Sequence, residues 1–177
     1  MKLIILDRDG VINHDSMLYI KSPQEWLPIA GSLQAIADLT ALGFTIAVAT
    51  NQSGVSRGYY DLDTLEAIHA KMCTLIAEKG GFIDKIWYCT HLPSQGCLCR
   101  KPEPGMLLSI ADHYQVDLSD VYFIGDRITD IQAGLKAGAM PLLIESPMTN
   151  SQDLEDYPQI ELFSSLASLV QAKFHGD

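Results

Sequence analysis

The sequence predicts an α/β fold: a Rossmann-like parallel sheet with helices on both faces. Short apolar runs alternate with longer segments that have helical periodicity. The runs are almost continuously apolar, as expected for strands that are buried on both sides. Polar residues follow the runs at the points where they end. Strands that alternate with helices in this way form a parallel sheet covered on both faces.

Five strands are expected, one for each apolar run. The first is typical of a buried strand because it runs directly into two acidic residues. The strands are predicted at residues 2–6, 44–49, 85–88, 121–124 and 140–144.

Helices are expected between these strands. The first has apolar residues at helical spacing ahead of Gly43, a residue type that suits the position just after a helix. For the second, Asp63 and Glu66 resemble a capping box that precedes an apolar stripe over residues 65–76. The remaining helices are predicted at residues 106–114, 129–137 and 162–174.

Length and charge limit the classes of function. A chain of 177 residues suits one domain over residues 1–177. We expect a cytoplasmic monomer without a membrane partner, because no apolar run approaches the roughly 18 residues of a membrane span and the start lacks a signal-peptide pattern. The formal charge of −10, from 12 Lys plus Arg against 22 Asp plus Glu, disfavours nucleic-acid binding but permits a small anionic substrate.

Polar side chains follow four of the predicted strands. Ligands of open parallel sheets bind beyond the carboxyl ends of the strands, so these residues mark a candidate site. In strand order they are Asp7 and Asp9, Thr50 and Asn51, Cys89 and His91, and Gly125 and Asp126.

Asp7 and Asp9 form the first candidate pair. Residues two apart on an extended chain project to the same side, so both carboxylates can face one pocket. They repel each other unless a cation such as Mg²⁺ lies between them. Asp9 could protonate a leaving alcohol and then activate water. A solvated acidic pair in a loop is the alternative, and the tetrapeptide alone leaves both open.

Asp126 and Asp130 form the second pair. Their spacing of four places them on one face of a helical turn, where Asp126 can complete a magnesium site and Asp130 can hold Asp126, a ligand water or Lys101. A helix cap with a first-turn acid is the alternative. Thr50 and Lys101 are candidates for binding a phosphoryl group, through a hydroxyl and a positive charge.

Together these segments resemble the four motifs of the haloacid dehalogenase superfamily of phosphatases, over roughly residues 3–145. The resemblance implies that Asp7 is the nucleophile and forms an aspartyl-phosphate, and that Asp9 is the general acid/base and also binds Mg²⁺ through its carbonyl. It implies that Thr50 and Lys101 bind the phosphoryl group and that Asp126 is a metal ligand. The motifs are Asp7-Arg8-Asp9-Gly10, Thr50-Asn51-Gln52, Lys101 and Gly125-Asp126-x-x-x-Asp130. The spacings between them leave no room for a cap domain, so a capless fold is expected.

A cysteine cluster suggests a second metal. Cys89, His91, Cys97 and Cys99 are the ligand set of a closed tetrahedral zinc site, so we expect a structural zinc-binding loop at residues 89–99. Independent packing of the four residues, or a disulfide, is the alternative. Cys73 lies on a helix stripe and is expected to belong to the core.

The cysteine loop, with the Arg100-Lys101-Pro102 segment after it, is similar to one branch of the superfamily. That branch contains phosphatases of D-glycero-D-manno-heptose 1,7-bisphosphate and of histidinol phosphate. Residues 50–59 resemble the former, whereas Arg127 and the short spacer before Cys97 resemble the latter. The resemblance implies removal of the 7-phosphate of the heptose, in the synthesis of ADP-heptose for lipopolysaccharide.

The same resemblance implies a phosphorylated sugar held by three loops. Arg100 and Arg127 suit a second phosphate or sugar hydroxyls, because guanidinium binds phosphate through two parallel hydrogen bonds; a solvent-facing arginine is the alternative for either. The expected substrate-binding residues are Asp15, Ser16, Met17, Leu18, Asn51, Gln52, Ser53, Arg57, Arg100 and Arg127.

Two other classes of protein use similar residues. A polynucleotide 3′-phosphatase shares the Thr-Asn-Gln element, but the net acidity and the cysteine cluster argue against it. A phosphate-accepting receiver domain also places acids, Thr and Lys on a parallel sheet. It would carry its accepting Asp after a strand in mid-chain, and it needs no zinc cluster.

Overall fold

The structure is a computed structural model that describes residues 1–175. Six parallel strands form one sheet in the order β3-β2-β1-β4-β5-β6, which confirms the predicted α/β class. The strands are β1 (Lys2–Leu6), β2 (Phe44–Asn51), β3 (Lys85–Cys89), β4 (Tyr122–Gly125), β5 (Met140–Ile144) and β6 (Leu162–Phe163). The helices are α1 (Ser32–Ala41), α2 (Leu62–Glu78), α3 (Gly105–Tyr114), α4 (Ile128–Ala137) and α5 (Leu166–Phe174).

The sheet separates two hydrophobic cores. Leu3 and Ile5 of β1 pack into the core beneath α3 and α4, while Ile4 and Leu6 pack into the core beneath α1, α2 and α5. All four side chains are at most 4% exposed, so β1 is apolar on both faces. This explains why the run lacks the alternation of a half-buried strand.

The strand order decides where a site can form. β1 lies at the centre and pairs with β2 on one side and β4 on the other. From β1 the chain adds β2 and β3 on one side of the sheet and then β4, β5 and β6 on the other. Open parallel sheets bind ligands beyond the strand ends at such a reversal, which here lies between β1 and β4. The first and fourth predicted motifs follow the two strands that flank it.

The segments between the strands are short enough to leave this edge open. Between β1 and β2 lie α1 and one short 3₁₀ turn, Pro23–Glu25, and between β2 and β3 lies α2. Neither connection contains a folded cap over the edge of the sheet. Among residues 1–175, no helix has the length and apolar character to cross a membrane.

Two local predictions were wrong. The last helix was predicted from residue 162, but residues 162–163 form β6 beside β5, and α5 begins at Leu166 after the cap residue Ser165. The N-cap of α2 is Asp61, whose carboxylate accepts from the backbone N–H of Thr64, and Asp63 lies inside the first turn. In both cases the helix exists, but its first residue differs from the predicted one by a few positions.

Candidate active site

Three buried carboxylates meet at the reversal point of the sheet. Asp7 follows β1, Asp126 lies in the turn after β4, and Asp130 lies in the first turn of α4. Ligand oxygens of the three side chains lie within 4.8 Å of one another, and each residue is at most 7% exposed. A Cβ atom on Gly10 would lie 2.0 Å from Asp126 Oδ2, so only glycine permits this approach.

Lys101 lies between two of these carboxylates. Its Nζ is 3.0 Å from Asp7 Oδ1 and 2.7 Å from Asp130 Oδ1, and it donates to the Ala49 carbonyl at 2.9 Å. Burial alone would lower the pKa of Lys101, but the charges of Asp130 and Asp7 outweigh it and raise the pKa above its ordinary value. Lys101 is therefore a fixed cation beside Asp7.

Asp130 holds the turn after β4 as well as Lys101. Its Oδ2 accepts from the backbone N–H groups of Asp126 at 3.0 Å and Arg127 at 3.1 Å. A Cβ atom on Gly125 would lie 2.2 Å from the Asp130 Cβ, so the strand end must be glycine. Both oxygens of Asp130 thus have protein partners.

The carboxylate cluster is short of positive charge. Burial raises the pKa of Asp7 well above its ordinary value, with Lys101 opposing and Asp130 and Asp126 adding to the effect. Burial also raises the pKa of Asp126 to about 7, helped by the neighbouring Asp130 carboxylate. A divalent cation between these groups would relieve the repulsion.

Asp126 provides the test of whether a metal fits. Its Oδ1 is fully buried and has no hydrogen-bond partner among the described residues. A buried carboxylate oxygen without a partner is costly unless a cation binds it. Oxygen ligands are those that Mg²⁺ prefers, so the donor set fits magnesium.

Asp9 is held by a separate network of hydrogen bonds. Its Oδ1 accepts from Arg8 Nε at 2.9 Å and from Asn13 Nδ2 at 2.8 Å, and its Oδ2 accepts from Gln52 Nε2 at 2.9 Å. Burial would raise the pKa of Asp9, but the Arg8 charge and these hydrogen bonds hold it below the ordinary value.

Arg8 is a buried residue whose importance the sequence did not reveal. It is 0% exposed, and besides Asp9 it donates to His69 Nε2 at 3.2 Å and to Gln52 Oε1 at 3.2 Å. Burial, with the Arg8 charge, lowers the pKa of His69 to about 3, so the ring is neutral and can accept this hydrogen bond. The sequence offers one hint of this role, which is that Arg8 stands between Asp7 and Asp9.

The two amide side chains at the end of β2 bind protein groups. Asn51 pairs with the Lys101 backbone, accepting from its N–H and donating to its carbonyl, both at 3.0 Å. Gln52 donates to Asp9 and Thr50 and accepts from Arg8 and Tyr60. Their side chains thus position candidate catalytic residues, and their contacts with substrate stay a prediction.

A cavity of about 470 Å³ opens above the carboxylates. Most predicted site residues line it, while Asp126 lies beneath its surface and Leu18 and Arg57 lie outside the lining. The predicted residues that line it are Asp7, Asp9, Asp15, Ser16, Met17, Thr50, Asn51, Gln52, Ser53, Arg100, Lys101, Arg127 and Asp130. The sequence did not predict the lining residues Tyr19, Ile20, Ile128, Thr129, Met148 and Asp153.

Two contacts organise the rim of the cavity. Arg127 forms an ion pair with Asp15, which joins the loop after β1 to the start of α4. The Arg57 guanidinium lies 5.8 Å from the centre of the Tyr19 ring, so it contacts the rim from outside. Tyr19 has a left-handed φ of 67°, a conformation uncommon for a residue other than glycine.

The four predicted zinc ligands converge beside the cavity. His91 Nδ1 lies 3.3 Å from Cys89 Sγ and 3.2 Å from Cys99 Sγ, and the sulfur–sulfur distances are 3.1 to 3.6 Å. These sulfur–sulfur distances are slightly shorter than the roughly 3.8 Å expected between thiolates that bind one tetrahedral zinc at roughly 2.3 Å. None of the four cysteines forms a disulfide, and Cys73 lies apart from the cluster against the core.

Residues after 146 also reach the site, although the sequence indicated no chemistry there. Ser146 Oγ donates to Asp126 Oδ2, and Thr149 Oγ1 donates to the Asp126 carbonyl, each at 2.6 Å. Met148 and Asp153 line the cavity. Single serine and threonine residues in a loop carry no recognisable spacing, so only the fold reveals these contacts.

Comparisons with known proteins agree with this geometry. A family model described as HAD-hydrolase-like matches residues 98–169. The D-glycero-beta-D-manno-heptose-1,7-bisphosphate 7-phosphatase of Pseudomonas putida is 52% identical over 97% of this chain and 98% of its own length. That of Pseudomonas aeruginosa is 56% identical over 81% of each chain.

A solved structure is similar over nearly the whole chain. It is the D,D-heptose 1,7-bisphosphate phosphatase from B. bronchiseptica, complexed with magnesium and phosphate. It is 46% identical, with a TM-score of 0.92 over 99% of each chain.

Proposed function

Because the chain belongs to the heptose-bisphosphate phosphatase family of the haloacid dehalogenase superfamily, we propose that it removes the 7-phosphate of D-glycero-β-D-manno-heptose 1,7-bisphosphate. The observation that carries the proposal is the position of Asp7 on the cavity, 3.0 Å from the Lys101 ammonium and beside the Asp126 carboxylate. The β anomer is proposed because the curated relatives carry it in their names.

The reaction would proceed in two displacements. An oxygen of Asp7 attacks phosphorus, the bond to the sugar oxygen breaks, and Asp9 donates a proton to that leaving oxygen. Asp9 must first take up this proton, because its pKa in the free site lies below the ordinary value. Asp9 then takes a proton from water, whose oxygen attacks phosphorus and releases phosphate and the Asp7 carboxylate. Lys101 stabilises negative charge on the transferring group throughout.

The metal-binding residues would be the carboxylates of Asp7 and Asp126 and the carbonyl of Asp9. Bound Mg²⁺ would supply Lewis-acid stabilisation of the phosphoryl oxygens. Asp130 remains outside this set in the proposal, because its oxygens already bind Lys101 and two backbone N–H groups.

Substrate selection would depend on the rim of the cavity. Arg100 and Arg127 are the arginines that line it, and they would bind the second phosphate or the sugar hydroxyls. Asp15, Ser16, Met17 and Ser53 would contact the sugar, while Leu18 and Arg57 would support the rim from outside. We further propose that the chain acts as a single domain and as a cytoplasmic monomer, and that its product feeds ADP-heptose synthesis.

A substrate comparison tests the function. We expect the highest kcat/KM for the β anomer of the heptose bisphosphate, a lower value for the α anomer and the lowest for histidinol phosphate. A higher kcat/KM for histidinol phosphate would contradict the proposal. A stable phosphoprotein without turnover would instead indicate a receiver domain.

A zinc ion is proposed for Cys89, His91, Cys97 and Cys99, with a structural role. Four protein ligands leave no open position, so the ion would fold the loop that presents Arg100 and Lys101. Elemental analysis should find about one zinc per chain after purification without added metal. Cys99→Ser should lower this content, whereas the control Cys73→Ser should retain it. Equal zinc in both variants would refute the site.

A further inference from the structure

The loop after β5 is fastened to the candidate metal ligand Asp126 by two hydroxyl groups. Ser146 Oγ lies 2.6 Å from Asp126 Oδ2, and Thr149 Oγ1 lies 2.6 Å from the Asp126 carbonyl oxygen. Distances this short are typical of well-formed hydrogen bonds from a hydroxyl to oxygen. The partners are 20 and 23 residues apart in the sequence, so both contacts depend on the folded structure.

The backbone of the same loop fixes the direction of both hydroxyl groups. The Met148 N–H donates to Ser146 Oγ at 3.1 Å, and the Ser146 N–H donates to Thr149 Oγ1 at 2.9 Å. Each hydroxyl therefore accepts within the loop. Its single proton is left to donate. Ser146 donates to Asp126 Oδ2, and for Thr149 the Asp126 carbonyl at 2.6 Å is nearer than the Ile144 carbonyl at 3.3 Å.

These contacts account for all but one polar atom of Asp126. The N–H donates to Asp130 Oδ2, the carbonyl accepts from Thr149, and Oδ2 accepts from Ser146. The remaining atom, Oδ1, is buried without a partner among the described residues. A partial turn of the carboxylate would break the hydrogen bond from Ser146, and a half-turn would only exchange two equivalent oxygens, so one oxygen always remains free.

We propose that Ser146 and Thr149 are positioning residues for the metal site, which orient Asp126 so that Oδ1 alone is presented to the cation. The inference rests on the magnesium site of the proposed function, but not on which sugar is hydrolysed. Mg²⁺ requires near-ideal octahedral geometry, so an incorrectly turned carboxylate binds it poorly. Hydrogen-bond partners of metal ligands typically change metal affinity or activity by about 10- to 100-fold when removed.

Direct metal binding tests the role without substrate. In zinc-replete protein, Mn²⁺ replaces Mg²⁺, and the free ion is measured by electron paramagnetic resonance. We expect Ser146→Ala to weaken Mn²⁺ affinity by about 10-fold or more, and Thr149→Val to weaken it by a smaller factor. Ser146→Thr keeps the hydroxyl and should restore most of the affinity. The control Ser151→Ala removes an exposed hydroxyl from the same segment, and its Mn²⁺ affinity should equal that of wild type.

Thermal unfolding separates positioning from a simple loss of stability. In buffer without Mg²⁺, Ser146→Ala has its own Tm, and added Mg²⁺ raises the Tm by an amount that grows with its affinity for the folded protein. We expect this Mg²⁺-dependent increase to be smaller in Ser146→Ala than in wild type. Wild-type Mn²⁺ affinity in Ser146→Ala, or equal weakening in Ser146→Thr and Ser146→Ala, would overturn the inference. Wild-type affinity in Asp126→Asn would overturn the proposed metal site as well.

Discussion

At the scale of single residues, the site is a set of buried charges that form two clusters. Lys101 forms ion pairs with Asp7 and Asp130, and Arg8 forms one with Asp9. Arg8 lies between the two acids in sequence but belongs to a different cluster from Asp7. The two carboxylates of the opening motif therefore have different environments, and the pKa of Asp7 lies above its ordinary value whereas that of Asp9 lies below it.

The nucleophile can be tested by one substitution. Asp7→Asn keeps the size of the side chain but removes the attacking carboxylate, so kcat should fall by at least about a thousandfold. Folding should remain intact, because the change also removes a charge repelled by Asp126 and Asp130. The exposed control Asp120→Asn should have wild-type activity. Substantial turnover in Asp7→Asn would exclude this assignment.

His69 should make stability depend on pH. Its pKa is lowered from 6.5 to about 3 in the folded protein, by burial first and then by Arg8. Below pH 6.5 the unfolded chain gains a proton that the folded protein does not, so the free energy of unfolding falls as the pH is lowered. This group contributes a slope of at most about 1.4 kcal/mol per pH unit.

Urea unfolding between pH 7 and 5 measures this slope. His69→Gln can still accept a hydrogen bond from Arg8 but does not titrate, so its free energy of unfolding should depend less on pH than that of wild type. Identical pH dependence in the two proteins would show that His69 does not remain neutral.

Residue types at the site were predictable, but their partners were not. The spacing of the acids and their position after strands made Asp7, Asp9 and Asp126 candidates, and its positive charge made Lys101 one. The amide of Asn51 binds a backbone 50 positions away, a contact that no local pattern encodes. Ser146 and Thr149 were missed for the same reason.

At the scale of secondary-structure elements, the boundaries depend on capping and pairing. β6 has two residues, too few to show a period, and it exists because it pairs with Leu143 and Ile144 of β5. The interiors of the longer elements were predictable, because their apolar periodicity extends over several turns or a whole strand. Their ends depend on single hydrogen bonds.

The cap of α2 gives a matched test. Asp61→Ala removes the side chain that accepts from the Thr64 N–H, so Tm should fall. Asp63→Ala removes an acid from the first turn without removing the cap, and its effect should be smaller. Thermal unfolding followed by circular dichroism measures both. A larger loss for Asp63→Ala would restore the original prediction of the helix start.

At the scale of the whole molecule, the central sheet divides the interior in two. Ile36 on α1 and Ile110 on α3 belong to the different cores and are both fully buried. Each change to Val should lower the free energy of unfolding by about 0.5–1.5 kcal/mol. The two losses should add to within about 0.5 kcal/mol, because the residues share no partners.

Urea unfolding of the single and double variants measures this additivity. One shared transition is expected for all of them, because both cores pack on the same strands. Two separate transitions would show that the two cores do not unfold as one cooperative unit. A large coupling energy between the two substitutions would show that the cores are not independent.

The central place of β1 also has a consequence for how the protein is made. The ribosome synthesises β1 first, but its neighbour β4 begins only at Tyr122. Until then one edge of β1, which leads into Asp7, lacks the neighbour it has in the folded protein. Pairing across so long a stretch of chain is slow, because the loop must close before the contacts form. The nascent polypeptide therefore emerges with this edge open, and catalytic competence arises late in translation.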